Sequence, residues 1–116
     1  MNRIEPILTA LNETMDTEDQ MLMIMDALND TVTPVPDPGT LCTFLYQAKT
    51  PKIKYDQHPL VLVTELFQWG FRGFNFHWRM YRQYTWGEVV GQVYIVQRDE
   101  LDDLISVQYA KEVLNN

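Results

Sequence analysis

The chain has 116 residues and a mass of 13.7 kDa, which is the size of one domain and enough to bury roughly two-thirds of the surface that the unfolded chain exposes. Hydrophobic residues make up 46%, charged residues make up 22%, and there is one cysteine, so the composition excludes wholesale disorder, a collagen-like repeat and a disulfide scaffold. The formal net charge of -7 divides into -7 in residues 1–39, +4 in residues 40–98 and -4 in residues 99–116.

This uneven charge is open to two interpretations. A basic middle between acidic flanks can mark a partner surface, or acidic helices can fold back on a basic sheet. The N-terminal segment lacks the basic flank and apolar core of a signal peptide, and no stretch approaches the roughly 18 apolar residues of a membrane span. We therefore expect a soluble protein with no membrane contact, and the single Cys42 indicates a reducing compartment.

Residues 1–30 are predicted to form a helical N-terminal arm. Apolar residues recur at helical spacing from Ile4 to Met15 and again from Met21 to Leu28. Pro6 is compatible with this because it falls in the first turn, where a missing N–H costs little. A possible capping box that begins at Thr17 leaves open whether the arm is one long helix or two short ones.

Residues 31–40 are predicted to be an extended linker, since they contain three prolines and a glycine. The linker separates the arm from the body of the protein, residues 41–116. The arm can then pack on this body or dock on a neighbouring chain.

Three segments of the body have the composition or alternation of strands, namely 41–48, 60–67 and 73–78. Residues 49–59, with three lysines and two prolines, are predicted to be a loop. A turn or bulge is expected at 69–72. Phe74, Phe76 and Trp78 should then share one face of the last strand.

Two helices are predicted after these strands. Thr85 and Glu88 have the spacing of a capping box, which favours a short helix over 86–95, although two glycines weaken it and the valines make a strand the alternative. Residues 99–114 are predicted to form the second helix. The expected fold is therefore α+β, with a small antiparallel meander of about three strands flanked by N-terminal and C-terminal helices.

The residues of catalytic or metal sites are sparse. No glycine-rich nucleotide loop occurs, and His58 and His77 lack the close spacing of a zinc site. Cys42 and His77 could pair as nucleophile and base, but nothing in the sequence brings them together. We expect a non-enzymatic protein with no catalytic residue, no metal and no cofactor.

The basic segment, residues 40–98, also holds thirteen of the fourteen aromatic residues, which lie between Phe44 and Tyr94. Such rings can fill the core of a small sheet, form a protein interface or stack on nucleic-acid bases, and the acidic total disfavours the last. The candidate interaction surface consists of Trp69, Arg72, Trp78, Arg79, Arg82 and Trp86.

Six further residues are expected to have structural roles: Asp56, Pro59, Gly70, Gly73, Asn75 and His77. The aspartate side chain can cap the turn before Pro59. The two glycines permit backbone conformations that are closed to other residues. We expect Asn75 and His77 to form hydrogen bonds that hold the 49–59 loop against the sheet.

The central block also carries a resemblance. It contains, in order, Phe44-x-Tyr46-x-Ala48-Lys49, Tyr55-Asp56-x-x-Pro59-Leu60-Val61, Gly70-Phe71-x-Gly73-x-Asn75-x-His77-Trp78 and Arg82. This order resembles a group of small proteins of tailed bacteriophages, of the T4-like type that infects marine bacteria and cyanobacteria. In that group a tyrosine is expected at the position of Trp78 and a small aliphatic residue at that of Arg72.

The resemblance implies a phage-encoded protein and favours a component of the virion, located in the virion or the host cytoplasm. Its expected partners are other phage proteins, including a second copy of itself. The alternative is a small phage protein that binds nucleic acid or inhibits a host factor.

Overall fold

The computed structural model describes residues 2–14, 16–49 and 53–115. Within them the helices are α1 (Leu8–Glu13), α2 (Thr17–Ala27) and α3 (Leu101–Ser106). The strands are β1 (Val32–Thr33), β2 (Leu41–Tyr46), β3 (Ile53–Asp56), β4 (Leu60–Leu66), β5 (Gly70–Asn75), β6 (Met80–Thr85), β7 (Val89–Val96) and β8 (Glu112–Asn115). Single 3-10 turns lie at Glu5–Ile7, Trp86–Glu88 and Arg98–Glu100.

Six strands form one antiparallel sheet in the order β1-β7-β2-β4-β5-β6, and β3 pairs with β8 in a separate two-stranded sheet. The 3-10 turn Trp86–Glu88 alone connects β6, at one edge, to β7, beside β2. A connection this short requires the sheet to curl back on itself. The rings of Tyr46 on β2 and Tyr84 on β6 accordingly lie with their centroids 5.0 Å apart, although two strands separate them in the order. The large sheet therefore has a barrel-like curl.

Two apolar clusters form the core. One fills the inside of the curled sheet and contains Cys42, Phe44, Tyr46, Val61, Val63, Phe71, Tyr84 and Val93. The other packs the helices on the body and contains Ile4, Leu11, Met21, Ile24, Leu28, Leu60, Leu104 and Tyr109. The apolar stripe of the N-terminal arm is thus buried against the body of its own chain.

The arm consists of two short helices, one of the two arrangements that the sequence allowed. Asp16 caps α2, since its side chain accepts a hydrogen bond from the backbone N–H of Glu18. Met15, which the predicted stripe includes, falls outside the described residues. In the predicted linker, Val32–Thr33 pairs with β7, so part of this segment belongs to the sheet.

The expected meander of about three strands flanked by helices is wrong, because the described residues of this α+β chain form a six-stranded and a two-stranded sheet. The predicted helix over 86–95 is a 3-10 turn followed by β7. The hydroxyl of Thr85 does donate to the carboxylate of Glu88, but the valines after it pair with β2. The strand alternative for this segment is therefore correct.

Three other boundaries differ from expectation. The predicted helix over 99–114 ends at Ser106, and β8 then pairs with β3, which lies in the segment expected to be a loop. The turn expected at 69–72 lies slightly earlier, where Phe67 and Gly70 bond each other in the β4–β5 hairpin, and β5 already begins at Gly70. A second hairpin turn follows β5 at 76–79, so Phe76 and Trp78 belong to that turn and do not continue the face of Phe74.

Candidate functional site

A cavity of about 360 Å3 opens between β3 and β6, and we call it the aromatic cleft. β6 is an edge strand of the large sheet, and its residues 82–85 line this space. The aromatic residues that line the cleft are Tyr46, Tyr55, Trp69, Trp78 and Tyr84. A concave site with aromatic walls and a few polar groups is typical of a binding site.

The polar floor of the aromatic cleft depends on Asn75. Its side-chain amide donates hydrogen bonds of 2.9 Å to Oδ2 of Asp56 and to the hydroxyl of Tyr84. Its carbonyl oxygen accepts from the backbone N–H of Trp78, also at 2.9 Å, which fixes the β5–β6 turn. One side chain therefore joins β3, β6 and the hairpin turn.

Asp56 is 3% exposed, and its second carboxylate oxygen, Oδ1, has no hydrogen-bond partner within the described residues. Nδ1 of His77 lies 3.8 Å from the other oxygen. The indole N–H of Trp78 is likewise buried and unpartnered. Because buried polar atoms are nearly always paired, these two unpartnered atoms on lining residues are candidates for a hydrogen bond to a bound molecule.

Arg82 forms the cationic part of the wall. Its guanidinium carbon lies 4.2 Å from the ring centroid of Trp78, and one of its N–H groups donates to the carbonyl of Lys54 at 3.0 Å. The arginine therefore spans from β6 to β3 while it stacks on the tryptophan.

Glu88 closes the other end of the cleft. Its carboxylate accepts from the hydroxyls of Tyr46 and Thr85 and from the backbone N–H of Lys49. Burial raises the pKa of this carboxyl, but the hydrogen bonds outweigh burial and leave its pKa below the usual value. Glu88 is thus an ionised group whose acceptors are already engaged.

The rim of the cleft carries an exposed aromatic pair. Phe67 and Trp69 stack with centroids 4.8 Å apart and are 37% and 43% exposed. The indole N–H of Trp86 donates to the carbonyl of Phe67 at 3.2 Å and supports this hairpin tip. Exposed paired rings beside a concave cavity are characteristic of contact surfaces.

The structure separates the six candidate interaction residues into two groups. Trp69, Trp78 and Arg82 line the aromatic cleft, and Trp86 lies at its rim. Arg72 instead lies 5.2 Å from the ring of Tyr81 and pairs with Glu65. Arg79 is exposed in the hairpin turn with a φ of 57°.

The structural candidates differ in how they act. Asp56 accepts from Asn75 and, within the described residues, forms no turn cap. The carbonyl of buried Pro59 accepts from Thr43 at 2.8 Å. The ring of His77 packs at 5.0 Å on Tyr109, edge to face.

Gly70 and Gly73 of β5 are needed because neighbouring atoms lie too close for a side chain. Neither has a positive φ, since among the described glycines only Gly39 and Gly91 do. A Cβ on Gly70 would lie 1.9 Å from the carbonyl oxygen of Tyr84, and one on Gly73 would lie 2.4 Å from Cγ1 of Val61. Gly70 and Gly73 therefore allow neighbouring strands to pack closely, and the unusual backbone conformations expected from the sequence do not occur at them.

Sequence reasoning missed Tyr46, Tyr55, Tyr84 and Glu88. They come from strands far apart in the chain, and their common cleft exists only once the sheet curls. The spacing of Thr85 and Glu88 is the local signal for Glu88, and in the structure it belongs to a 3-10 turn before β7 and not to a helix start.

The other candidate features are a nucleophilic cysteine, a metal site and a membrane-spanning helix. Cys42 is fully buried, and burial raises the pKa of its thiol, the opposite of what activates a nucleophile. Among the described residues, no group of three or more His, Cys, Asp or Glu side chains could hold a metal ion. No helix in that same part of the chain has the length and apolar character to cross a membrane.

Comparison with known proteins adds no relative to this geometry. No family model, no curated protein and no solved structure matches the chain significantly.

Proposed function

We propose that this chain is a non-enzymatic interaction protein and that its aromatic cleft binds an extended segment of a partner protein. The observation that carries the proposal is the continuity between the exposed Phe67–Trp69 pair and the cavity, where Oδ1 of Asp56 is buried without a partner. Large aromatic residues and arginine dominate the binding energy of protein interfaces.

The edge of β6 supports an extended partner segment. Within the described residues β6 pairs with β5 alone, so its other edge has no strand partner there, and its residues 82–85 line the cleft. An incoming strand can form main-chain hydrogen bonds along such an edge, while neighbouring cavities select its side chains. The free edge supplies affinity and the aromatic walls supply selectivity.

The charges in the cleft favour protein over nucleic acid. Among the described residues the lining holds two carboxylates, those of Asp56 and Glu88, against the one guanidinium of Arg82, and the whole chain carries a net charge of -7. Phosphate binding depends on cationic neutralisation, which the two carboxylates oppose. A nucleic-acid role is the alternative that the experiment below must exclude.

The resemblance to small proteins of tailed phages supports virion assembly as the setting. Other phage proteins, including a second copy of this chain, are the proposed partners, in the virion or the host cytoplasm. Because the apolar stripe of the N-terminal arm is buried against its own body, the proposed contact is the aromatic cleft and not the arm.

The test is selection of a displayed library of linear peptides on the purified chain. We expect enriched peptides whose affinity falls at least about tenfold in Trp69→Ala, since truncating an aromatic anchor is costly. The control is Val35→Ala, which truncates an apolar side chain that is 48% exposed and lies outside both β6 and the cleft. No enrichment, or equal effects of the two variants, would overturn the proposal.

A second measurement addresses the alternative and self-association. Tryptophan fluorescence is followed during titration with single- and double-stranded oligonucleotides at low and physiological salt, because Trp69 and Trp78 line the cleft. A flat signal is expected. Saturable, salt-sensitive quenching would replace the protein partner by nucleic acid. Sedimentation velocity over a concentration series decides whether a second copy is the partner.

A further inference from the structure

A second cavity, of about 410 Å3, lies between α2 and the sheet, and we call it the helix–sheet pocket. Its apolar lining includes Met21, Leu22 and Met25 from α2, Leu45 from β2 and Val90 from β7. Tyr46 and Tyr55, whose rings meet edge to face at 5.9 Å, separate it from the aromatic cleft. The pocket is therefore distinct from the proposed partner site and has the size of a small-molecule site.

His58 provides the polar group of this pocket. It is 4% exposed, and neither Nδ1 nor Nε2 has a hydrogen-bond partner within the described residues. Its ring stacks on Tyr109 at a centroid distance of 6.5 Å, which fixes its plane. The adjacent Gln57 also lines the pocket, and its Oε1 is buried without a hydrogen-bond partner within the described residues. Buried polar atoms of this kind are costly unless something pairs with them.

The protonation of His58 defines what it can bind. Burial lowers the pKa of this histidine to about 4, so the imidazole is neutral near pH 7. A neutral imidazole has one N–H donor and one nitrogen acceptor. Glu18 is the one charged side chain among the described lining residues, and its carboxylate disfavours an anionic ligand.

We propose that the helix–sheet pocket binds an uncharged small molecule with an aromatic or apolar body and one hydroxyl group that donates to His58. The methionines of α2 suit such a ligand, because their flexible thioether side chains adapt to the shape of a ring. The inference does not depend on partner binding in the aromatic cleft, since His58 and Gln57 line this pocket and not the cleft.

The experiment compares two probes that differ in one hydroxyl group, p-cresol and toluene, by titration of the full chain in 1H–15N NMR spectra. We expect p-cresol to bind about three- to tenfold more tightly than toluene, which is the usual net effect of one hydrogen bond. The shifted resonances should belong to α2 and to residues around His58. Failure of both probes to bind, or equal affinity for both, would overturn the inference.

Two variants assign the effect. In His58→Phe the preference for p-cresol over toluene should disappear while toluene still binds. Leu22→Asp changes a side chain that is 62% exposed at the pocket, and it should weaken both probes. Its matched control is Val35→Asp, 48% exposed and outside the pocket, which should bind both probes as the wild type does. Equal effects of Leu22→Asp and Val35→Asp would overturn the location of the site, even if the histidine variant failed to fold.

Discussion

The side-chain amide of Asn75 donates a 2.9 Å hydrogen bond to Oδ2 of Asp56, a residue 19 positions earlier in the chain. This bond connects the large sheet to the two-stranded sheet across the floor of the aromatic cleft. The same amide bonds Tyr84, so a single buried side chain sets the spacing of three elements. The position of Asp56 in the cleft therefore depends on Asn75.

Asn75→Ala should lower the free energy of unfolding by about 2 to 4 kcal/mol, because it leaves buried polar groups of Asp56 and Tyr84 without a partner. Urea denaturation followed by tryptophan fluorescence measures this loss. In a double-mutant cycle with Asp56→Ala, the combined loss should fall short of the sum by at least about 1 kcal/mol, since the residues are in contact. Additive losses would show that the bond contributes nothing.

Gly73→Ala should lower the free energy of unfolding by at least about 1 kcal/mol. The added Cβ would lie 2.4 Å from Cγ1 of Val61 and 2.5 Å from the carbonyl oxygen of Leu62. Gly87→Ala is the control, since a Cβ there has no atom within 4 Å, and its effect should stay within about 0.5 kcal/mol. Thermal denaturation of both variants provides the comparison. Similar melting temperatures would contradict the packing of β4 on β5 described above.

The parts of the fold that local sequence predicts are those whose apolar residues form a continuous run or a helical stripe. β2 and β4 are recognisable because they are short apolar runs, and the arm because its stripe is helical. β3 and β8 could not be recognised, because each becomes a strand only by pairing with a segment far along the chain. β6 has one buried residue, Tyr84, and so carries no alternation.

The same reason divides the candidate site. Trp69, Trp78 and Arg82 were identified by local aromatic and basic composition, and the structure places them in one cleft. Tyr46 and Tyr55 join that cleft through the curl of the sheet and the pairing of β3, which no local pattern contains.

Arg3→Met should lower the free energy of unfolding by about 3 to 5 kcal/mol, because it leaves the fully buried carboxylate of Glu100 without its cation. Nη2 and Nε of Arg3 each lie 2.9 Å from this carboxylate. The control is Lys54→Met in the exposed pair with Glu112, expected to cost less than about 1 kcal/mol. Urea denaturation at pH 7 measures both losses, and equal losses would refute the anchoring role of Arg3.

Protonation of His58 should make the protein less stable as the pH falls below neutral. Burial lowers the pKa of His58 to about 4 in the folded chain, against 6.5 for an unperturbed histidine. Between these values the unfolded chain binds a proton that the folded chain does not, so stability is full above pH 6.5 and falls as the pH decreases. The slope from this group is at most about 1.4 kcal/mol per pH unit.

The window from pH 6.5 to pH 5 isolates this effect from the carboxyl groups. Glu88 and Glu100 have pKa values below their ordinary 4.5, because hydrogen bonds to their carboxylates outweigh burial. The stabilisation that these two carboxylates give the folded chain is therefore lost only at pH values below this window. In His58→Phe the decrease in unfolding free energy between pH 6.5 and pH 5 should be smaller than in the wild type by up to about 2 kcal/mol. Urea denaturation at the two pH values measures it. Parallel pH profiles of the two proteins would mean that His58 takes up its proton in the folded chain as readily as in the unfolded one.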